Sequence, residues 1–411
     1  MKPRTFWIAL AAIGFALSSV MATASNYYVD PVNGSNSNGG ASWADAWKTL
    51  TYATSQTNGT GTEANPTVIH LAEGTYSPSS NGETFPINFG AYNDYCSLIG
   101  AGSELTILRA NGSELVVNSN AKACQVTVTD LMITGGKGGI YHRFGEPGEP
   151  HGYLTLERCV ISGNTDGCAV EIANNGTVTI RRCIISDNSS DYRCPGLCLT
   201  PLDALNLTIE NCDITNNTLV SPGTDGGGAK IVAWSGRISG CRFTGNSAPR
   251  KGGGLLNGWG QGIVKNCVFS GNSSGEGGGI YAGGIDRTTF QNCLITNNTC
   301  TVDGGGIFVE VAPGFPPSIV QIVNCTIADN QGCGVRVEDP VNEWYSEAHL
   351  YNCTVWGQED SVVNVPCSMI SHCDLSDGSC NGQNGNISQD PFFVTGAQGD
   401  YYLSHAGVNS K

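Results

Sequence analysis

The sequence predicts an all-β fold: a parallel solenoid of stacked β-coils with a short helix capping its N-terminal end. Three observations carry that expectation. A motif recurs as RCVISGN, RCIISDN, NCDITNN, GCRFTGN, NCVFSGN, NCLITNN and NCTIADN. Its cysteines, Cys159, Cys183, Cys212, Cys241, Cys267, Cys293 and Cys325, advance by about 28 residues per step, a period that marks stacked repeats. Glycine is abundant, 56 of 411 residues, about twice the usual share. Many of these glycines open a second repeated element, GGGAKIV, GGGLLNG, GGGIYAG and GGGIFVE, with looser copies GCAVEIA and GCGVRVE.

The chain begins with Lys2 and Arg4, an apolar stretch from Phe6 to Val20, and Ala22-Thr23-Ala24. That order is an export signal cleaved near Ala24, so residues 1–24 are expected to leave and 25–411 to form one exported domain, secreted or at the cell surface. No later segment is long and apolar enough to span a bilayer. Loss of Lys2 and Arg4 takes the net charge from −15 to −17. So acidic a chain is a poor partner for nucleic acid or anionic lipid, and repels an acidic polysaccharide unless a basic patch or a divalent cation intervenes.

Residues 25–124 are assigned to the cap and first coils. Ser42 to Ser55 places Trp43, Ala46, Trp47, Leu50 and Tyr52 at roughly helical spacing, which makes an amphipathic lid over an open sheet edge. Trp43 and Trp47 are read as packing residues of that lid, ahead of a carbohydrate-binding role.

Residues 125–335 are the regular repeats. Each cysteine shares one face of a short strand with the Ile or Phe two residues later. Stacked in parallel, the cysteines become an inward column of small apolar groups. Five residues after each comes Asn164, Asn188, Asn217, Asn246, Asn272, Asn298 or Asn330, a ladder of amides at one corner of the coil, where Asn tolerates a left-handed backbone. The column cysteines are expected to stay reduced, because parallel neighbours lie side by side. Disulfides are sought instead among Cys194, Cys198, Cys300, Cys333, Cys367 and Cys380. Residues 336–411 hold degraded coils at Cys353 and Cys373 and a closing segment, and end without a sorting or anchor motif.

The GGGI turns alternating with FTGN and FSGN resemble the polymorphic outer-membrane protein repeat of the pectin-lyase-like superfamily, which implies a right-handed parallel β-helix. The start, YYVDPVNGSNSNGGASWADAWKTLTYA with VIHLAEGTY, and the end, DPFFVTGAQGDYYLS, resemble secreted bacterial β-helix proteins of the DUF1565 kind. The superfamily holds lyases, hydrolases and adhesins, so the resemblance implies a fold and not one activity.

Alignment on the glycine turns gives an outward column, Glu171, Thr200, Lys230, Leu256, Tyr281, Phe308 and Arg336, with Trp234 and Trp259 at similar depth in their coils. An apolar strip through Trp234, Leu256, Trp259, Tyr281 and Phe308 suits a sugar chain along the axis. A strip covered by the loop 312–317 fits the same residues and is slightly favoured. A second column, Asp225, Lys251, Glu276 and Asp303, offers three carboxylates to Ca²⁺, the one cofactor considered. Lys251 interrupts it, which favours a solvated acidic edge. Asn164-Thr165-Asp166-Gly167 matches one short motif of polygalacturonase-like hydrolases, but no Asp-Asp, Gly-His-Gly or Arg-Ile-Lys accompanies it. Lyases of the superfamily take a proton beside a uronate carboxylate with Lys or Arg, which makes Lys230, Arg250 and Lys251 the catalytic candidates, with Tyr141, His142 and Arg143 a further polar cluster.

The functional expectation is an extracellular or cell-surface β-helix that binds carbohydrate or surface components without catalysis. A polysaccharide lyase or glycoside hydrolase is second, and an adhesin passenger lacking its anchor third. The oligomeric state stays open.

Overall fold

The computed structural model describes residues 24–88, 95–120, 125–143, 152–173, 176–201, 205–284, 287–310, 318–338, 346–396 and 399–403. The expected export signal, the loop 312–317 and the tail from 404 lie outside the described residues.

The chain winds into parallel coils, each complete coil contributing one strand to each of three sheets, which with the partial end turns hold 13, 12 and 11 strands. The coil of Gln125–Thr129, Met132–Thr134 and Gly138–Arg143 is typical: it visits the first, second and third sheets in turn. Equivalent residues stack in register, as Phe243 on Phe269 and Phe269 on Ile295. The two phenyl rings are 4.8 Å apart and 7° from parallel. Period-two alternation sends every second side chain inward, so the core is a column of Ile, Val, Leu, Phe and Cys.

Both sharp corners of a coil turn on a single left-handed residue. Before the cysteine it is Asn211 (φ 53°), Asn266 (54°), Asn292 (53°) or Asn324 (53°). Before the ladder asparagine it is Asn216 (54°), Asn297 (55°) or a glycine such as Gly245 (66°). The ladder asparagines therefore do not adopt the left-handed backbone expected of them; their predecessors do. Freed from that strain, the ladder amides are buried and bond to one another: Asn246 donates from its backbone N–H and from Nδ2 to Asn272 Oδ1, both at 3.0 Å, and Asn272 repeats this to Asn298 at 3.0 and 2.9 Å. Each Nδ2 also donates to a carbonyl of the coil before, as Asn272 to Phe243 O at 2.8 Å.

The cysteine column is buried and its thiols are free. They donate to carbonyls two residues back, as Cys267 to Lys265 O at 3.2 Å. Of the six loop cysteines considered for disulfides, Cys367 and Cys380 are bonded, while Cys194, Cys198, Cys300 and Cys333 are free thiols.

The expected lid splits into a 3-10 turn, Trp43–Asp45, and a helix, Leu50–Thr57. Between them Trp47 is held extended against the first strand, Trp47 N–H to Tyr28 O at 3.0 Å and Asp30 N–H to Trp47 O at 2.8 Å, which forbids one continuous helix. The helix starts on the buried carboxylate of Glu83, which accepts from the Leu50 and Thr51 N–H groups at 2.7 Å each, placing a negative charge on the unpaired donors of a helix N-terminus. At the other end an antiparallel hairpin, Phe393–Gly396 with Gly399–Leu403, returns to the second sheet through Tyr401, which donates to Asp329 at 2.8 Å. No described helix is long and apolar enough to cross a membrane.

Candidate functional site

The outward column of the third sheet runs Glu171, Cys198, Lys230, Leu256, Tyr281, Phe308 and Arg336. Cys198 stands where Thr200 was expected, because the strand Leu197–Leu199 starts directly after Gly196 to match Val170 and Ala229.

Of the two readings of the strip, the buried one describes its middle, while the loop 312–317 that was to cover it lies outside the described residues. Leu256, Tyr281 and Phe308 form a buried cluster, with the Tyr281 and Phe308 rings 5.4 Å apart and 9° from parallel. Trp234 is no part of it. Its indole points into the core and donates to Asn257 Oδ1 at 2.7 Å, and Asn257 donates in turn to Thr288 at 2.9 Å. Trp234 starts the first-sheet strand Trp234–Ser239, whose first residue faces inward, whereas Trp259 lies just past the third-sheet strand Leu255–Gly258, in a left-handed residue at φ 54°. Its ring is 47 % exposed. Gly284 makes room for that ring: a Cβ there would lie 1.7 Å from Trp259 Cδ1.

Trp259 walls a groove of about 270 Å³ that the three catalytic candidates enter together: Lys230, Arg250 and Lys251, with Asp225, Tyr281 and Glu310. Arg250 forks onto Asp225 at 2.7 and 2.6 Å, which pushes the guanidinium pKa above its usual value. Lys251 donates to Tyr281 Oη at 2.5 Å and Glu310 at 2.9 Å. Burial, then the Glu310 charge, push the Tyr281 phenol up, so it stays protonated at neutral pH. Lys230 makes no ion pair among the described residues.

The column Asp225, Lys251, Glu276 and Asp303 is in register as read. Asp225 is held by Arg250 and Asp303 by Arg336 at 2.7 Å. Burial raises the Glu276 carboxyl. Among the described residues no three His, Cys, Asp or Glu side chains converge as metal ligands do. His142 is wholly buried and neutral, its pKa lowered to about 3 by burial, so the Tyr141–Arg143 segment presents no exposed imidazole.

Glu310, Asn257 and Gly284 were not singled out in the sequence. Glu310 closes the GGGIFVE element, and that it faces outward follows only once the coil register is known.

No curated protein matches the chain significantly. Among solved structures, pectate lyase Pel9A is similar at 16% identity and TM-score 0.47, covering 95% of this chain and 91% of its own. The A-module of Azotobacter vinelandii mannuronan C-5 epimerase AlgE6 matches at 15% and 0.47, covering 83% and 94%. Pectin methylesterase PemA from Erwinia chrysanthemi matches at 12% and 0.34, covering 82% and 90%. At such identities and scores the likeness assigns no chemistry. A family of unknown function, DUF1565, matches residues 32–103. The model of the right handed beta helix region matches residues 100–263 and 238–374, which hold most strands of the three parallel sheets, and the chain belongs to that right-handed β-helix family.

Proposed function

We propose that the chain is an exported, non-catalytic carbohydrate-binding protein whose third-sheet groove takes a segment of an acidic, uronate-containing polysaccharide. The observation that carries this reading is a local inversion of charge beside an exposed aromatic ring. The chain carries −15, yet in the groove Lys230, Arg250 and Lys251 outnumber Asp225 and Glu310 next to Trp259. A ring face for the C–H side of a pyranose and cations for its carboxylate are the two recognitions such a polymer needs. Binding is favoured over turnover because Arg250 and Lys251 are both engaged by carboxylates and the Tyr281 phenol is held protonated.

A lyase is the second reading. It is favoured by one contact, Lys251 Nζ to Tyr281 Oη at 2.5 Å, which puts a proton-donating pair, able to protonate a leaving glycosidic oxygen, beside Arg250.

The test is calorimetric titration of the mature chain with hexagalacturonate and hexamannuronate, alongside an assay of chain shortening on the corresponding polymers. The expected outcome is binding that weakens with salt and falls about tenfold in Lys230→Ala, the worth of one charge-assisted contact, with no shortening. Shortening of either polymer establishes the lyase. Neutral hexasaccharides binding as tightly as the uronates and losing as much affinity in Lys230→Ala would remove the uronate reading.

A further inference from the structure

Trp43 does something its neighbour Trp47 does not. Trp47 is buried, stacked on Tyr27 at 5.3 Å and 12°, with its indole N–H bonded to Asn38 O at 2.8 Å. Trp43, four residues earlier, is 50 % exposed. Its position is nevertheless fixed. Its turn is closed by Gly40 N–H to Asp45 O at 2.8 Å, Asp45 N–H to Ser42 O at 3.0 Å and Gly39 N–H to Asp45 Oδ1 at 3.0 Å. Its ring meets Tyr28 edge-on at 4.8 Å, and Tyr28 stacks on His70 at 5.1 Å. The cap thus holds a rigid aromatic face towards solvent.

That face walls a cleft of about 520 Å³ shared with Asp30, Val32, His70, Glu73 and Ile99. Val32, on the rim, is 74 % exposed. The lining has two carboxylates and no Lys or Arg. Burial lowers the His70 pKa, and the ring is bonded to Asn26 at 2.9 Å, so it adds no positive charge at neutral pH. Asp30 is committed to its own turn, accepting from Val32 and Asn33 N–H at 2.8 and 2.9 Å. The Glu73 carboxylate is exposed and makes no hydrogen bond or ion pair among the described residues.

We propose that this cleft is a second saccharide site, for an uncharged pyranose, separate from the third-sheet groove. A preset aromatic face receives the C–H side of the sugar at little entropic cost, and Glu73 accepts from its hydroxyls. The anionic lining selects against a uronate, the opposite preference to the groove. The two sites together fit a protein that joins a neutral polysaccharide to an acidic one.

Calorimetry of the mature chain with cellohexaose and N-acetylchitohexaose, and with hexagalacturonate as the charged control, decides the matter. A neutral hexamer is expected to bind the parent chain and Trp259→Ala alike, to lose about tenfold in affinity in Trp43→Ala and several-fold in Glu73→Gln, and to resist competition by hexagalacturonate. If Trp43→Ala lowers the melting temperature, Glu73→Gln, at an exposed carboxylate, carries the test. The site is overturned if neither neutral hexamer binds, if binding survives both cap substitutions, or if hexagalacturonate displaces the neutral sugar. Trp259→Ala belongs to the groove, so failure of one site is read independently of the other.

Discussion

Lys251 and Tyr281 face each other across adjacent coils, the ammonium 2.5 Å from the hydroxyl and 4.5 Å from the ring centre, while Glu310 holds the same ammonium from a third coil at 2.9 Å. One half-buried cation thereby ties three successive turns of the third sheet and closes the wall of the groove.

Lys251→Met fills much the same volume but leaves the partly buried Glu310 carboxylate without its partner. A loss of about 2 kcal/mol in urea unfolding is expected, together with weaker uronate binding. Adding Glu310→Gln should return part of the stability and none of the binding. An unchanged melting curve in the single variant would mean the contact is a surface pair of little worth.

Asn272→Ala removes the acceptor of two Asn246 bonds and both donors to Phe243 O and Asn298 Oδ1. Buried groups on both neighbouring coils lose partners, and a cost of about 3 kcal/mol is expected. Hydrogen exchange should quicken at the Asn246 amide in particular. Uniform exchange along the solenoid would argue against coil-by-coil coupling.

His142 links stability to acid. Burial lowers its folded pKa to about 3, so the unfolded chain, near the ordinary value of about 6.5, takes up the proton first as pH falls. The contribution is whole above that ordinary value and is lost progressively from there down to about 3, by up to about 1.4 kcal/mol per unit. His142→Leu should flatten the dependence of the urea midpoint on pH in the upper part of that window. A slope unchanged by the substitution would assign the acid sensitivity to carboxylates.

The free thiols of the described residues are all buried. Burial, with the Asp303 charge, also pushes Cys300 up to about 11 and Cys333 up to about 12, leaving little thiolate at neutral pH. Alkylation of the native chain, mapped by mass spectrometry, should leave the column from Cys159 to Cys373 unlabelled, and guanidinium should expose all of it. Native labelling at Cys241 or Cys267 would show the mid-column core to be open.

The periodic parts of this fold were legible because they repeat. Seven copies of one motif fixed the inward cysteine column and the asparagine ladder, and stacking did the rest. What escaped depends on departures from the period. Trp234 and Trp259 lie at similar depth, six and five residues past their glycine turns, but that one residue separates an inward-facing start of a first-sheet strand from a position just past a third-sheet strand. Cys198 displaced Thr200 because Gly196 aligns with Gly228, the last glycine of its turn, which moves the register by two residues along the same outward face. The lid divided because Trp47 is needed as an extended partner for Val29, a tertiary demand stronger than helical spacing. Glu310 reaches Lys251 from 59 residues away, a pairing that no local pattern announces.

The asparagine ladder is also vectorial. From Asn164 to Asn298 every amide donates towards the C-terminal neighbour and accepts from the N-terminal one. A nascent chain that finishes one turn therefore leaves two donors open on its growing rim, and the carbonyl oxygen that closes them arrives only with the next turn. Head-to-tail amides polarise one another in the same sense, so each turn strengthens the seat for its successor, and assembly has a built-in order, from the capped end onward.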